Sequence, residues 1–178
     1  MRLFAAIAPP DDIRDDLEAL QSGLPDGSRV PWENFHLTLA FFGEVEARAA
    51  EELDAALSDV RFPQMEVALT GVDVFGGDKP RLIYAAVERS EPLIALQTGV
   101  ETAARRADIA VETRRYTPHV TLARPRGRRA DERLMRWIAG AAAFRRPPFA
   151  VERFALYRSS LGNGPPHYEE VRSYPAAK

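Results

Sequence analysis

Two short stretches of the chain repeat one order of residue types, and each holds a histidine and a threonine that can do acid–base chemistry. The first has the sequence HLTLA from His36 to Ala40, and the second has HVTLA from His119 to Ala123. Both alternate with a period of two, which predicts a β-strand in each place. Successive side chains of a strand point to opposite faces, so the His and Thr of each motif share one face. Two of the three histidines occupy these motifs, and we therefore predict two half-sites that face a shared cleft.

A pair of imidazoles suits a reaction that needs an acid and a base in one turnover. The ordinary pKa of histidine is near ~6.5, so one copy can be neutral while the other is protonated, with a bell-shaped pH profile around neutrality. The hydroxyls of Thr38 and Thr121 can donate hydrogen bonds to an anion held between them. In-line displacement at phosphorus fits this set, with one imidazole deprotonating water and the other protonating the departing oxygen. On spacing alone, His36 and His119 could exchange these roles.

Other chemistries lack their motifs. The chain has no cysteine, which excludes disulfides, thiol catalysis and cysteine metal sites. An HExxH motif or a His-Asp cluster for a metal is absent from the sequence, as are the P-loop, the G-x-G-x-x-G fingerprint and the G-x-S-x-G elbow. We therefore expect neither a metal nor a cofactor.

Hydrophobic periodicity predicts a mixture of strands and helices. The predicted strands cover residues 2–8, 36–43, 62–75, 81–88, 116–124, 151–159 and 168–174. The predicted helices cover residues 11–23, 44–59, 90–107 and 131–144. The two motifs lie 83 positions apart and the halves have related element orders, so we expect one domain, 1–178, made of two similar lobes.

The charge distribution is uneven although the net charge is only −2. Residues 105–146 contain 12 arginines and 4 acidic residues. Arg126, Arg128 and Arg129 are expected either to line the path of an RNA strand or to be solvated surface residues. The apolar run near the N-terminus is too short to span a membrane and lacks a convincing signal-peptide pattern. A cytoplasmic monomer without membrane contact is the expectation.

In their surroundings, the two motifs resemble the signature of the two-histidine (2H) phosphoesterase superfamily. Within this superfamily the chain resembles the RNA 2′,3′-cyclic phosphodiesterases, also called 2′-5′ RNA ligases. A single His-x-Thr is a weak signal, whereas the pair in these contexts is a strong one. The likeness extends over nearly the whole chain and includes Arg2-Leu3-Phe4, Asn34–Leu39 with Phe42-Gly43, Lys79-Pro80-Arg81, Tyr116–Arg124 and Leu156–Leu161.

This resemblance implies a bilobal, pseudo-twofold α+β fold in which antiparallel sheets line a central cleft and helices lie outside. It also implies metal-independent hydrolysis of RNA 2′,3′-cyclic phosphate ends, or of cyclic mononucleotides, to 2′-phosphomonoesters. His36 matches the proton donor and His119 the proton acceptor, and a reversible 2′-5′ joining reaction is secondary. Arg124 follows the second motif as in the family and would contact phosphate. Strict alternation from His119 turns Arg124 away from the cleft, so this contact requires the strand to end at Pro125.

Two alternatives remain open from the sequence. One is a 2H enzyme that acts on a small cyclic nucleotide derivative, such as ADP-ribose 1″,2″-cyclic phosphate. The other is a module that binds a nucleotide or an RNA end without turnover. Two intact histidines argue against the module, because binding alone could use arginine or lysine.

Overall fold

The computed structural model describes residues 1–24, 28–112, 114–125 and 129–177, and these form an α+β fold. Its strands are β1 (Arg2–Ile7), β2 (Leu37–Glu44), β3 (Met65–Val67), β4 (Leu69–Phe75), β5 (Leu82–Val87), β6 (His119–Ala123), β7 (Phe149–Val151), β8 (Arg153–Ser160) and β9 (His167–Pro175). Its α-helices are α1 (Asp11–Leu20), α2 (Ala47–Ser58), α3 (Glu91–Arg106) and α4 (Glu132–Ala141). Among the described helices, none has the length and apolar composition needed to cross a membrane.

Seven strands form one antiparallel sheet in the order β4-β5-β6-β2-β1-β8-β9. One lobe contributes β9, β8, β1 and β2, and the other contributes β6, β5 and β4. The two lobes meet where β2 pairs with β6, and this ladder has a single registered pair, Leu37 with Val120. The predicted bilobal α+β fold is confirmed, with strands of both lobes joined in one continuous sheet.

A pseudo-twofold axis relates the lobes. The order β1-α1-β2-α2 of the first lobe recurs as β5-α3-β6-α4 in the second. Leu37 and Val120 each follow the histidine of their motif, and they pair with one another. Equivalent positions that pair in this way lie on the axis itself. The short strands β3 and β7 also pair antiparallel, in a separate two-stranded sheet.

Alternation along β1 separates the apolar core from the cleft. Leu3, Ala5 and Ile7 pack into the core together with the buried apolar residues of the helices, such as Leu17 of α1. Phe4 points to the opposite face, where its ring meets the His36 ring. The helices therefore cover one face of the sheet and leave the other for the motif side chains.

The strand predicted over residues 62–75 is divided in two. β3 pairs with β7 in the small sheet, whereas β4 pairs with β5 in the large one. Ala68 lies between them, and its carbonyl accepts a hydrogen bond from the backbone N–H of Glu88 at 2.9 Å. The apolar pattern continues through this change of partner, and so the sequence did not reveal the break.

Beyond their single pair, β2 and β6 separate, and the carbonyls along their facing edges need other donors. The Gln21 amide nitrogen donates to the carbonyls of Leu122 at 2.6 Å and Val30 at 2.9 Å. The Gln97 amide nitrogen lies 3.4 Å from the Leu39 carbonyl. Tyr116 donates its hydroxyl to the Thr38 carbonyl at 2.8 Å. Polar side chains thus lie in the wedge-shaped gap where β2 and β6 separate, and they donate hydrogen bonds to buried backbone carbonyls.

We expect Gln21→Met to lower the free energy of unfolding by about 1–3 kcal/mol. The substitution keeps the side-chain volume but removes the donor from two carbonyls, one of which the backbone N–H of Val30 still serves. The control is Gln64→Met at an exposed position, which should stay within about 0.5 kcal/mol of the parent. Urea denaturation measures both. Equal stability of the two variants would show that the wedge does not depend on this amide.

Candidate active site

The lobe junction brings the two motifs together. His36 immediately precedes β2 and His119 begins β6. Because Leu37 and Val120 pair antiparallel, one step along each strand sets the histidine of one motif opposite the threonine of the other. The His119 charge also contributes to lowering the pKa of His36. The four residues that the sequence predicted to share a cleft therefore lie at one place in the structure.

Both imidazoles are held in the same tautomer by the same kind of contact. The Nδ1 atom of His36 lies 2.7 Å from the carbonyl oxygen of Asn34, and that of His119 lies 2.7 Å from the carbonyl oxygen of Thr117. A carbonyl only accepts hydrogen bonds, so Nδ1 carries the hydrogen in each ring. The Nε2 atom of each histidine is therefore the nitrogen that exchanges a proton with a ligand.

Aromatic rings surround each imidazole on its own lobe. The centroid of the His36 ring lies 5.0 Å from that of Phe4 and 5.2 Å from that of Tyr168. The His119 ring lies 5.1 Å from the Tyr84 ring and 5.4 Å from the Phe75 ring. These rings exclude water from one side of each imidazole and restrict its rotation.

Burial makes both imidazoles poor bases in the ligand-free protein. Desolvation lowers the pKa of His36 to about 4, and the hydrogen bond to the Asn34 carbonyl opposes this effect. The positive charges of Arg124, His119 and Arg14 lower it further. Desolvation is also the main cause that lowers the pKa of His119, with Arg124 and Arg114 acting in the same direction. Both effects favour the neutral form of each histidine at pH 7 in the ligand-free protein.

The motif threonines present hydroxyls beside the imidazoles. Thr121 is 9% exposed and pairs with Tyr84 across β5 and β6, and Thr38 is half-buried opposite Ala6 of β1. Within the parts of the chain that the structure describes, neither hydroxyl makes a hydrogen bond to protein. Both are therefore available to a ligand, while the Thr38 backbone is held by Tyr116.

Arg124 is the first residue after β6, which ends at Ala123, and it is exposed. Its backbone N–H donates to the Ser28 carbonyl at 2.8 Å, beside the antiparallel bridge between Arg29 and Ala123. Burial raises the pKa of Tyr168, and the charges of Arg124 and Arg2 oppose that rise. The Arg124 charge also lowers the pKa of both histidines, so the guanidinium lies close to both imidazoles.

Of the three arginines that were expected either to line an RNA path or to be solvated, only Arg129 lies within the described residues. Arg129 is exposed and forms an ion pair with Asp78 at 3.0 Å. Arg126 and Arg128 lie outside the described residues. His167, the third histidine, is exposed at the start of β9.

Three residues near His36 were missed from the sequence. Arg14, Tyr157 and Tyr168 line a small pocket with His36 and Asn34. The Arg14 side chain donates to the Pro9 carbonyl at 2.8 Å and lies over the Trp32 ring at 5.0 Å. The available signal was Tyr157 in the predicted strand 151–159 and Tyr168 in the predicted strand 168–174, but spacing along the chain does not show that β8 pairs with β1 and β9 with β8. A wider depression of about 690 Å³, lined by Arg61, Phe62 and Ala177 among others, holds no acid–base pair.

A family model of the 2′-5′ RNA ligase superfamily matches residues 9–163. Among curated proteins, the chain is 30% identical over 183 residues to RNA 2′,3′-cyclic phosphodiesterase of Escherichia coli, which covers 97% of this chain and 95% of that protein. It is also 30% identical over 147 residues to RNA 2′,3′-cyclic phosphodiesterase of Aeropyrum pernix, with coverage of 82% and 84%.

Solved structures agree in fold. The crystal structure of E. coli LigT complexed with 3′-AMP superposes with a TM-score of 0.79 at 26% identity, covering 99% of this chain and 98% of that one. TT0787 of Thermus thermophilus superposes with a TM-score of 0.80 at 27% identity, with coverage of 98% and 97%.

The buried His36 should make the protein less stable in mild acid. In the unfolded chain a histidine takes up a proton near pH ~6.5, whereas folded His36 does so only near pH 4. Stability is therefore fully present above the unfolded pKa and is lost as pH falls toward the folded one. Between pH 7 and pH 5 this contribution is on the order of 2 kcal/mol.

The matched variants are His36→Gln and His167→Gln, compared by urea denaturation at pH 7 and pH 5. We expect His36→Gln to lose less stability across this interval than the parent protein. His167→Gln alters an exposed histidine and should follow the parent. A His36→Gln variant with unchanged pH dependence would contradict the buried, neutral imidazole.

Proposed function

The chain belongs to the 2′-5′ RNA ligase superfamily, and we propose that it hydrolyses RNA 2′,3′-cyclic phosphate ends to 2′-phosphomonoesters. The observation that carries this proposal is the pairing of two His-x-Thr motifs across the pseudo-twofold axis, with Nε2 of each histidine free to exchange a proton. The relatives named RNA 2′,3′-cyclic phosphodiesterase and the 3′-AMP complex of LigT support the same substrate class.

In this mechanism His119 is the proton acceptor and His36 the proton donor. Nε2 of His119 takes a proton from water while the water oxygen attacks phosphorus. The bond between phosphorus and O3′ breaks, and O3′ receives the proton from Nε2 of His36. The product carries a 2′-phosphate and a 3′-hydroxyl. His119 ends protonated and His36 neutral, so a proton must return between turnovers. Attack by the 5′-hydroxyl of a second strand in place of water, with the same two proton transfers, would form a 2′-5′ linkage, and the reverse of that step would restore the cyclic end.

Thr38, Thr121 and Arg124 are proposed to bind the phosphate oxygens. The two hydroxyls lie on opposite strands of the lobe junction, so each can donate to a different nonbridging oxygen. The Arg124 charge, which acts on both imidazoles, would offset the charge that builds up in the transition state. No metal is required, and groups of three or more metal-ligating side chains are absent from the described residues.

Binding of the substrate phosphate also favours the protonated form of His36, which the proton donor requires. In the ligand-free protein His36 is neutral, yet a donor must hold a proton. A phosphate monoanion within a few ångströms of the imidazole favours its charged form and raises its pKa. The donor role of His36 follows the resemblance to the family, since the contacts of the two imidazoles are nearly symmetric.

We further propose that residues 1–178 act as a single domain of two similar lobes, as a cytoplasmic monomer without membrane contact. The continuous seven-stranded sheet supports the single domain. Cyclic mononucleotides would be minimal substrates, because the reacting groups surround only the phosphate.

Incubation with 2′,3′-cyclic mononucleotides and short RNAs that end in the cyclic phosphate, in the presence of EDTA, tests the function directly. Phosphorus NMR should identify a 2′-phosphate product from both. A 3′-phosphate product, or no turnover of either substrate, would sink the proposal. Turnover restricted to small cyclic derivatives such as ADP-ribose 1″,2″-cyclic phosphate would select the alternative 2H activity.

Histidine and threonine losses should differ in size. Replacing His36 or His119 with Ala removes a positioned acid or base and should cost about 10²–10⁴-fold in kcat. Thr38→Val or Thr121→Val removes one hydrogen bond to a charged group, which corresponds to a loss of roughly 10- to 150-fold in kcat.

The double histidine variant should lose far less than the product of the single losses, because each proton transfer needs its partner. His167→Ala is the histidine control, and circular dichroism checks the fold. A folded single histidine variant with near-normal kcat would end the two-histidine mechanism.

The pH profile should show the lowered pKa values. Because kcat/KM reports the free enzyme, its bell is expected on the acid side of pH ~6.5, with the limb of His36 near pH 4. This revises the optimum near neutrality that two ordinary imidazoles predict. The bell for kcat should lie at higher pH, since the bound anion raises the pKa of both histidines. Initial rates at constant ionic strength measure both, and a kcat/KM that rises steadily to pH ~10 would remove the acid–base pair.

A further inference from the structure

The aromatic cluster beside His36 leaves no space for a nucleobase. Phe4 is 2% exposed, with its ring covered by its neighbours. The pocket between Arg14, Tyr157 and Tyr168 has a volume of about 30 Å³, which is room for a water molecule or two. A base of the substrate must therefore stack on a ring outside this pocket.

Phe41 is such a ring. It lies on β2, five residues after His36, and is 47% exposed. Its centroid is 5.8 Å from that of Phe4, which in turn is 5.0 Å from that of His36. Because the Phe4 ring touches both, Phe41 and His36 lie on the same face of the sheet. An exposed phenylalanine two ring contacts from the reacting group offers a flat apolar surface that the protein itself leaves open.

Arg2 lies beside this surface. It is exposed on β1, two residues before Phe4, and alternation sets both side chains on the cleft face. Its charge reaches the hydroxyl of Tyr168. Within the described residues, Arg2 makes no ion pair or side-chain hydrogen bond, so its guanidinium is available to a phosphate.

The chemistry of the substrate gives this surface an occupant. A 2′,3′-cyclic phosphate exists only at the 3′ end of a strand, so every other nucleotide lies on its 5′ side and must leave the cleft in that direction. Single strands are bound by aromatic rings on which bases stack and by cations that neutralise the backbone. Phe41 and Arg2 supply one of each on the first lobe.

We propose that Phe41 and Arg2 form an upstream subsite, in which Phe41 stacks on a base 5′ to the reacting nucleotide and Arg2 pairs with the adjoining phosphate. The enzyme then prefers the ends of RNA strands to cyclic mononucleotides. This inference rests on the proposed function, since it concerns the substrate of the same cleft.

The test compares kcat/KM for a short RNA with a cyclic end and for the corresponding cyclic mononucleotide. Phe41→Leu keeps an apolar contact with Phe4 but removes the stacking ring, and it should lower the RNA-to-mononucleotide ratio roughly 5- to 150-fold. Phe41→Tyr restores an aromatic ring and should keep the ratio within about threefold of the parent, because stacking tolerates changes of the ring. Arg2→Gln should reduce the slope of log kcat/KM against log salt for the RNA by about 0.7.

The matched controls are Met135→Leu, an exposed apolar residue of α4, and Arg48→Gln, an exposed arginine of α2. Both should retain the parent ratio and salt slope. Equal kcat/KM of the parent for the two substrates, or a Phe41→Leu ratio equal to that of Met135→Leu, would overturn the subsite while the hydrolase stands. Failure of the parent to turn over either substrate would instead overturn the proposed function.

Discussion

One antiparallel residue pair at the centre of the sheet determines the geometry of the candidate site. Leu37 and Val120 pair on the pseudo-twofold axis, and β2 and β6 have no second registered pair. A longer ladder would hold the two motif strands side by side along their whole length, and their side chains would lie along one closed sheet surface. A single pair instead fixes the register, so that the histidine of each motif lies opposite the threonine of the other, and lets the strands separate around a ligand. The cleft exists because the ladder stops after one step.

Separation of the two central strands leaves buried backbone carbonyls without a partner on the facing strand, and side chains from the opposite lobe donate hydrogen bonds to them. Gln21 of the first lobe donates to Leu122 in the second motif, and Gln97 of the second lobe approaches Leu39 in the first. These two leucines are equivalent positions of the repeat. The interaction across the axis is therefore reciprocal, and each motif strand is held by a helix-associated amide of the other half. An unsatisfied buried acceptor costs more than a made hydrogen bond contributes, so the open cleft depends on these polar contacts.

The sequence predicted the features that depend on neighbouring residues. It did not predict contacts between residues that are far apart along the chain. The period-two pattern and the repeated order of residue types were sufficient to predict β2, β6 and the α+β class. Strict alternation from His119 turns Arg124 away from the cleft, yet its charge lowers the pKa of both histidines, so alternation alone did not place this residue. The Tyr168 ring reaches His36, and the Tyr157 ring stacks on Phe4 beside it, only because β8 pairs with β1 and β9 with β8 at the C-terminal end of the chain. No spacing in the sequence encodes that contact, and the same holds for Gln21, which lies 101 residues from its partner Leu122.

Burial and positive charge lower the pKa of both imidazoles, and in the proposed mechanism this combination links their protonation to the presence of substrate. Desolvation and the Arg124 charge both disfavour imidazolium in the ligand-free protein. A phosphate brings one negative charge to the point where these effects converge, and in a site of low polarity its effect on a neighbouring imidazole is large. In the proposed mechanism Arg124 has two opposed effects, since it attracts the anion that the donor needs and repels the proton that the donor must carry. An anion that lies between the guanidinium and the imidazole interacts favourably with both and offsets the repulsion between them. The position of the phosphate would therefore decide which histidine becomes the acid. An intrinsic difference between His36 and His119 is not needed for that choice.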